Sequence, residues 1–260
     1  MNKGHPAATH YGQLQGRCGV KNVKNFFSPE THGRPFTPLS QEHLLMLCIL
    51  VVAILLLFFF RDRLKNKTMR GGLAAFLLIA ECSFQIWCVA VGQWSLRTSL
   101  PLQISDLAVF LSALMLMTKN HLLFGLLCFA GLGSALQVVL LPDLDYGFPH
   151  FRFFQFFASH EGTILACLFM IWVEKFRPHY RRLWQAVCVV TLYGGCIFIF
   201  DRAIGANYLY LMRKPPVPGV AWLGPWPWYL LGGWAAMIVL FHLIYLPFWF
   251  GKKMRVAGGK

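Results

Sequence analysis

An apolar stretch that begins at Leu100 with LPLQISDLAVF carries a serine and an aspartate where a lipid-facing segment would have neither. Ser105 and Asp106 are adjacent, and His160 and Glu161 occur in a second apolar stretch. A serine hydroxyl becomes a nucleophile when a histidine takes its proton and a carboxylate orients that histidine. The residue types therefore predict acyl transfer or ester hydrolysis, with Ser105 as nucleophile and His160 as base. Either Asp106 or Glu161 would supply the carboxylate.

Five further polar or basic side chains are expected to bind the substrate: Gln85, Gln103, Gln137, Arg152 and Asn207. Amide groups among them can donate hydrogen bonds to an oxyanion. With a helical rise of 1.5 Å per residue, the serine, the histidine and two of the glutamines lie about 6 to 10 Å from the outer ends of their spans. They are therefore predicted to form one polar layer, in which Ser105 and His160 face each other.

Each of these residues also has a purely structural interpretation. Serines in membrane helices often bond to a carbonyl one turn earlier, and glutamines often join neighbouring helices. The histidine can be a hydrogen-bonded packing residue. Asp106 and Glu81 can be partners of basic residues, namely Arg152, Arg202 or Lys214. The common depth of the polar groups favours a functional site over these separate interpretations.

The elements that must position these residues are membrane helices. Of 260 residues, 57% are hydrophobic and 13% are charged, which excludes an ordinary soluble domain. A span needs about 20 mostly apolar residues. The sequence predicts an all-α polytopic membrane protein with seven transmembrane helices, at 43–60, 72–91, 100–117, 121–141, 153–173, 183–200 and 228–248.

The basic residues indicate orientation rather than a nucleic-acid partner. The net charge is +14, but Lys and Arg occur in short runs between spans instead of on one soluble face. The positive-inside rule favours the N-terminus outside and the C-terminus inside. We therefore expect three parts: a polar, disordered tail at 1–39, a transmembrane domain at 40–250 and a basic cytoplasmic tail at 251–260.

The predicted partner is a membrane lipid, and no cofactor is expected. The eight cysteines include no C-x-x-C pair, and no recognised spacing of metal ligands is present, so no metal site is predicted. The predicted localisation is a multi-pass position in a membrane, which is the cytoplasmic membrane if the source is bacterial.

Three motifs together resemble a known family. LPLQISDLAVF, FPHFRFFQFFASHEG and GANYLYLMRKP are similar to segments of the YwaF-like integral membrane proteins of bacteria, whose vertebrate relatives are proposed phospholipid acyltransferases. The resemblance covers roughly residues 75–245. It implies a nucleophile after the LPL motif and a histidine in the fifth span. His160 matches that histidine, whereas Ser105 stands where the family has a cysteine, which argues against a thiol acyl-enzyme and leaves a hydroxyl nucleophile as the expectation.

Two other functions remain open from the sequence. In a transporter or non-enzymatic ligand-binding protein, Asp106, Glu81 and His160 would form a path for a solute or a proton. A seven-span receptor is the other alternative. No lysine occurs in the seventh span to hold a retinal Schiff base, which disfavours a rhodopsin-like receptor.

Overall fold

Seven long helices make up most of the chain in the computed structural model, which describes residues 25–31, 35–215 and 220–257. Their bounds are α1 Gln41–Phe59, α2 Lys67–Ala90, α3 Ile104–Thr118, α4 His121–Leu140, α5 Phe151–Trp172, α6 Tyr180–Ile204 and α7 Trp228–Ala257. Two 3₁₀ turns, Tyr208–Tyr210 and Val220–Leu223, lie between α6 and α7. The predicted all-α class is confirmed.

Six of these helices are long and apolar enough to cross a membrane. The exception is α3, with 15 residues. At 1.5 Å per residue α3 is about 22 Å long, which is shorter than the hydrocarbon core of about 30 Å. The multi-pass membrane character is therefore shown, whereas a seventh crossing and the orientation of the termini stay predictions.

The beginning of α3 differs from its predicted position at residue 100. Pro101 disfavours a helical conformation at the residue before it, and Gln103 has an extended backbone with ψ of 145°. The helix therefore begins only at Ile104, and Ser105 is its second residue. The expectation that Ser105 lies about 8 Å inside the helix was wrong, because it counted four non-helical residues as helix.

Polar side chains fix the starts of four helices. The side chains of Ser40, Asn66, Asn120 and His150 accept hydrogen bonds from backbone N–H groups in the first turns of α1, α2, α4 and α5. Such N-cap hydrogen bonds satisfy backbone donors that have no partner within the helix. The cap at His150 places Arg152 in the first turn of α5, beside the end of α2.

The bundle is organised around α5, which packs against α1, α2, α3 and α4. In its most apolar part 78% of the residues are buried, compared with 22% for α6 and 11% for α7. Residues Leu127–Gly131 form a π-helical turn inside α4, and the Cys167 thiol of α5 contacts the Leu127 carbonyl oxygen at 3.5 Å. Most of the surface of α6 and α7 is left to face lipid.

Parts of the predicted N-terminal tail contact the bundle. The Phe27 carbonyl accepts a hydrogen bond from Trp87 Nε1 at 2.9 Å, and the Ser28 carbonyl lies 2.8 Å from His150 Nε2. These contacts join the segment 25–31 to the end of α2 and the start of α5. Residues 1–24 and 32–34 of the predicted tail lie outside the described residues, as do residues 258–260 of the predicted cytoplasmic tail.

At the opposite end of α5, one carboxylate joins three segments. Glu174 Oε1 accepts from Arg70 Nη1 at 2.9 Å, and Oε2 accepts from Lys119 Nζ at 2.7 Å. The Glu174 side chain is only 6% exposed. Burial raises the pKa of Glu174, but the hydrogen bonds from Lys119 and Arg70 outweigh that effect, so its pKa is lowered from 4.5. The contact ties α2 and the α3–α4 turn to the end of α5.

Replacing Glu174 with glutamine is expected to destabilise the fold by about 2 kcal/mol, because two charge-assisted hydrogen bonds lose their anionic acceptor. The pKa of Glu174 is lower in the folded than in the unfolded chain. The native chain is therefore more stable than Glu174→Gln above pH 4.5, and this difference in stability is lost as the pH falls through the folded pKa. Thermal unfolding in detergent at several pH values measures it. Glu42→Gln, at an exposed position of α1, is the control. Equal effects of both substitutions would contradict the role of this contact.

Candidate functional site

A cavity of about 500 Å³ lies at the end of the bundle where α2, α4 and α6 end and where α3 and α5 begin. Residues 205–215 and 220–227, here called the cap, cover this end, and the cap residues Leu209, Tyr210, Pro215 and Val220 line the cavity. The polar and charged lining residues of the bundle and its connecting loops are Glu81, Thr98, Gln103, Ser105, Asp106, Ser134, Gln137, Asp143, Arg152, Gln155, Ser159 and His160.

Hydrogen bonds hold the cap over the cavity. Gln103 Oε1 accepts from the Leu209 backbone N–H at 3.0 Å, and the Tyr210 hydroxyl donates to Asp143 Oδ2. Leu209 and Tyr210 both have a φ of 54°, a left-handed conformation that costs on the order of 1 kcal/mol or more for each non-glycine residue. Burial, together with the Asp143 carboxylate, raises the pKa of Tyr210, so its hydroxyl stays protonated. The cap conformation is therefore imposed by these contacts.

Tyr208 is the buried anchor of the cap. Its hydroxyl donates to the Leu96 carbonyl at 2.9 Å and accepts from the Leu100 N–H at 3.1 Å. Tyr208→Phe is expected to cost about 1 to 3 kcal/mol, because both backbone groups lose their partner. Limited proteolysis should then cut the cap faster than in the native chain. Tyr245→Phe is the control, since the described residues offer the Tyr245 hydroxyl no hydrogen bond. Unchanged proteolysis of Tyr208→Phe would contradict the anchoring role.

Helix α5 presents its polar residues to the cavity along one stripe. Arg152, Gln155, Phe156, Ser159 and His160 all line it, with spacings of three, four, seven and eight residues that put them on one face. The Arg152 guanidinium donates to Gln155 Oε1 and lies 3.9 Å from the centre of the ring of Phe84. Gln155 Nε2 in turn donates to the Ala80 carbonyl of α2 at 3.1 Å. The arginine is thus held in place by one amide and one aromatic ring.

Helix α3 brings its first turn to the same cavity. The Ser105 hydroxyl donates to Asp106 Oδ1 at 3.3 Å, and both residues line the cavity. The side chain of Gln103, at the N-cap position, makes no capping hydrogen bond to the helix because it binds Leu209 instead. No side chain at the N-cap position therefore accepts a hydrogen bond from the N–H groups in the first turn of α3. The positive end of this helix points towards the cavity.

Two buried polar atoms in the lining have no hydrogen-bond partner within the described part of the chain. They are Glu81 Oε1 and His160 Nδ1, on residues that are 2% and 4% exposed. The edge of the Phe156 ring contacts the His160 ring, with centroids 4.7 Å apart. Because buried polar groups nearly always have a partner, these two atoms are expected to contact water or a ligand in the cavity.

One cation, Arg152, and three carboxylates, those of Glu81, Asp106 and Asp143, line the cavity. Arg152 interacts electrostatically with Asp106 and Glu81, but among the described residues none of its nitrogens lies within 4.0 Å of either carboxylate. The charges are therefore close enough to influence each other and are not locked in an ion pair. A bound polar group can contact them without first breaking a short salt bridge.

The structure places the sequence-predicted residues as follows. Ser105, Asp106, His160, Gln103, Gln137 and Arg152 line the cavity. Gln85 does not: its amide donates to the Ser99 carbonyl at 2.8 Å and accepts from Trp94 Nε1 at 3.1 Å. Asn207 does not either, since its side-chain oxygen accepts from the N–H groups of Met212 and Arg213, both at 2.9 Å. Both amides organise loops around the cavity.

Among the residues that the structure describes, Ser105 contacts Asp106 and makes no hydrogen bond to His160. Glu161, the alternative carboxylate, is buried outside the cavity lining. Gln155, Ser159 and Tyr210 line the cavity and were missed, although the spacing of the first two from Arg152 could have identified them. No group of three or more His, Cys, Asp or Glu side chains within 25–31, 35–215 and 220–257 is arranged to hold a metal ion.

Comparison with known proteins gives a family. The model described as the TMEM164 family matches residues 38–245. An uncharacterized protein of Treponema pallidum (strain Nichols) is 29% identical over 154 residues, which are 59% of this chain and 64% of that protein, so the chain spans less than two thirds of the relative's length. No solved structure matches the chain. These matches do not confirm the resemblance to YwaF-like proteins, which stays a prediction. The family model covers most of the sequence, and the chain belongs to the TMEM164 family.

Proposed function

We propose that the chain transfers or hydrolyses an acyl group of a membrane lipid in the cavity beneath the cap. The observation that carries the proposal is that Ser105 and His160 line one cavity and that a buried nitrogen of the histidine has no partner. The YwaF-like resemblance supports the same chemistry. The mixed lining, with Phe84 and Phe156 beside the charged groups, suits a ligand that is part apolar and part polar.

In the proposed reaction Ser105 Oγ attacks the ester carbonyl carbon, and its proton passes to His160. Asp106, which binds the hydroxyl in this structure, orients it before the attack. Collapse of the tetrahedral intermediate breaks the bond to the leaving alcohol, which takes the proton from His160. Water or an acceptor alcohol then attacks the acyl-enzyme and releases Ser105 with its proton. The missing contact between serine and histidine is expected to form with substrate, since catalytic hydrogen bonds are often long in its absence.

Stabilisation of the oxyanion is assigned to the start of α3. The backbone N–H groups of the first turn lack a side-chain cap, and they lie beside Ser105 on the helix end that favours negative charge. Gln103 lines the cavity, but its oxygen is engaged with the Leu209 N–H. Arg152 and the exposed amide of Gln137 would bind the polar part of the lipid.

The experiment uses the purified chain in liposomes that contain a phospholipid with a labelled acyl chain and an unlabelled lysophospholipid acceptor. Labelled fatty acid would report hydrolysis, and labelled acceptor would report transfer. Formation of either product, and its loss in Ser105→Ala, is expected. Absence of both products would overturn the proposal.

A transporter or ligand-binding function is the second candidate, because Glu81, Asp106, Arg152 and His160 share one cavity in a membrane protein. Solute uptake by the same liposomes under a pH gradient, without lipid turnover, would favour it. Loss of that uptake in Glu81→Gln, with normal folding, would identify the carboxylate as part of the path.

The proposed topology has seven crossings, with the N-terminus outside and the cavity opening towards the outer leaflet. Glu174, Arg70 and Lys119 meet at the opposite end of the bundle, which the positive-inside rule assigns to the cytoplasm. A phosphatase that is active only outside the cytoplasm should therefore be inactive when it is fused after Lys260. An active fusion would reverse the orientation and place the cavity in the inner leaflet.

A further inference from the structure

A second, smaller cavity of about 160 Å³ lies between α3, the π-helical turn of α4 and α6. Its lining is apolar, with Leu107 and Leu111 on α3 and Val190 on α6. The hydroxyl of Tyr193, which also lines it, donates to the Leu102 carbonyl at 2.9 Å. The lining therefore offers an apolar surface and no unpaired side-chain hydroxyl.

Small residues and the π-helical turn make room for this cavity. Ala108 of α3 faces Gly131 at the end of the turn, and both line the cavity. A Cβ atom at Gly131 would lie 2.8 Å from Leu127 Cδ2 and 3.5 Å from Ala108 Cβ. A side chain at this position would clash within α4 and approach α3. The close contact lies within α4, whereas 3.5 Å to Ala108 Cβ is an ordinary van der Waals distance between the two helices.

The apolar cavity and the polar cavity are adjacent and share one lining residue. Ile104, the neighbour of Ser105, lines both. From Ile104 the lining residues of α3 continue at spacings of three, four and seven residues, so they form one face of the helix. This face extends about 10 Å from Ile104 to Leu111, away from the cap and towards the middle of the bundle.

We propose that the apolar cavity binds the acyl chain of the ester whose carbonyl lies at Ser105. This inference rests on the proposed acyl-transfer function. An ester carbonyl in the polar cavity would direct its chain past Ile104 and down the α3 face. An apolar cavity of about 150 Å³ is known to hold a benzene molecule, so this one accommodates about six carbon atoms of a chain. Longer chains would continue into the bilayer.

The test narrows the apolar cavity without touching the polar one. Val190→Trp fills it from α6, and Val189→Trp, whose native side chain is 46% exposed, is a second variant with less risk to folding. Leu192→Trp adds the same ring at a 66% exposed position of α6 outside the lining and is the control. The substrates are p-nitrophenyl esters with acyl chains of 4 and 16 carbons, because both release the same alcohol.

We expect each filling variant to lower the ratio of the hydrolysis rate of the 16-carbon ester to that of the 4-carbon ester by about tenfold. A hydrophobic pocket distinguishes two substrates that differ by a single methylene by roughly that factor. Leu192→Trp should leave the ratio unchanged. An unchanged ratio in both filling variants, or an equal change in the control, would overturn the proposal.

A binding measurement separates failure of this inference from failure of the proposed function. A phosphatidylcholine with a photoreactive diazirine in its acyl chain is cross-linked to the protein, and the labelled residues are mapped by mass spectrometry. Labelling concentrated at the α3 and α6 lining, and lost in Val190→Trp but not in Leu192→Trp, supports the chain site even if no ester is hydrolysed. Uniform labelling of all lipid-facing helices would show ordinary bilayer contact and overturn the inference.

Discussion

Replacement of Ser105 with alanine is expected to lower acyl-transfer or hydrolysis rates on the order of 1000-fold or more, because removal of a serine nucleophile leaves only binding and oxyanion stabilisation. Covalent labelling by a lipid-like fluorophosphonate should disappear at the same time. Both quantities can be measured on the purified protein in liposomes. The native hydroxyl already has a carboxylate, Asp106, as hydrogen-bond partner.

Two further variants make the serine experiment decisive. Ser83→Ala removes a hydroxyl that donates to the Ala80 carbonyl at 2.7 Å on α2, outside the cavity, and should leave labelling intact. Ser105→Cys restores the nucleophile that the resemblance to YwaF-like proteins leads one to expect at this position. It should retain activity and become more sensitive to thiol alkylation than the native chain. Labelling that persists in Ser105→Ala would refute the assignment of the nucleophile.

Substitution of His160 by glutamine is expected to slow the same reaction by about 100-fold to 10,000-fold, the usual contribution of general acid-base catalysis. The serine would keep its place on α3, but no group would accept its proton during the attack. Rates of fluorophosphonate labelling and of ester hydrolysis both report this loss. His242→Gln is the matched control, since His242 contacts the Tyr180 hydroxyl at 3.3 Å near the start of α6 and lies outside the cavity lining.

A structural role of His160 would give a different result. Added imidazole should restore part of the activity of His160→Ala, because the missing ring leaves space beside a cavity of about 500 Å³. A histidine needed only for packing would show no such rescue, and the variant would instead melt at a lower temperature. If His160→Ala loses activity, is not rescued by imidazole and melts at a lower temperature, the catalytic assignment of His160 is contradicted.

The helices could be predicted from the sequence because each contains a long apolar run. Apart from α7, which continues nine residues past the predicted end at 248, the predicted spans agree with the observed helices within five residues, and the difference at α3 lies at its start. The prediction there relied on the apolar residues at 100–103 and neglected Pro101. A proline so close to the start of a span indicates that the helix begins later. The π-helical turn of α4, at Leu127–Gly131, has no comparable signal in the sequence.

Six of the eight residues proposed for the site line the cavity. The polar residues of α5 could be located because their spacing defines one helix face. Gln85 and Asn207 could not be placed, because their partners are backbone groups of loops whose path the sequence does not specify. Depth along a helix identified the correct end of the bundle but not the direction in which each side chain points.

The contact of Glu174 with Arg70 and Lys119 lies at the end of α5 that is farthest from the cavity. Three segments are tied at one end of α5, so a relative tilt of the helices has its pivot there. The mouth of the cavity lies a full helix length away, at about 33 Å for the 22 residues of α5. A tilt of about 5° at the pivot would displace the mouth by about 3 Å, which is the length of one hydrogen bond. A rotation of that size would be enough to break the hydrogen bonds that join the cap to Gln103 and Asp143.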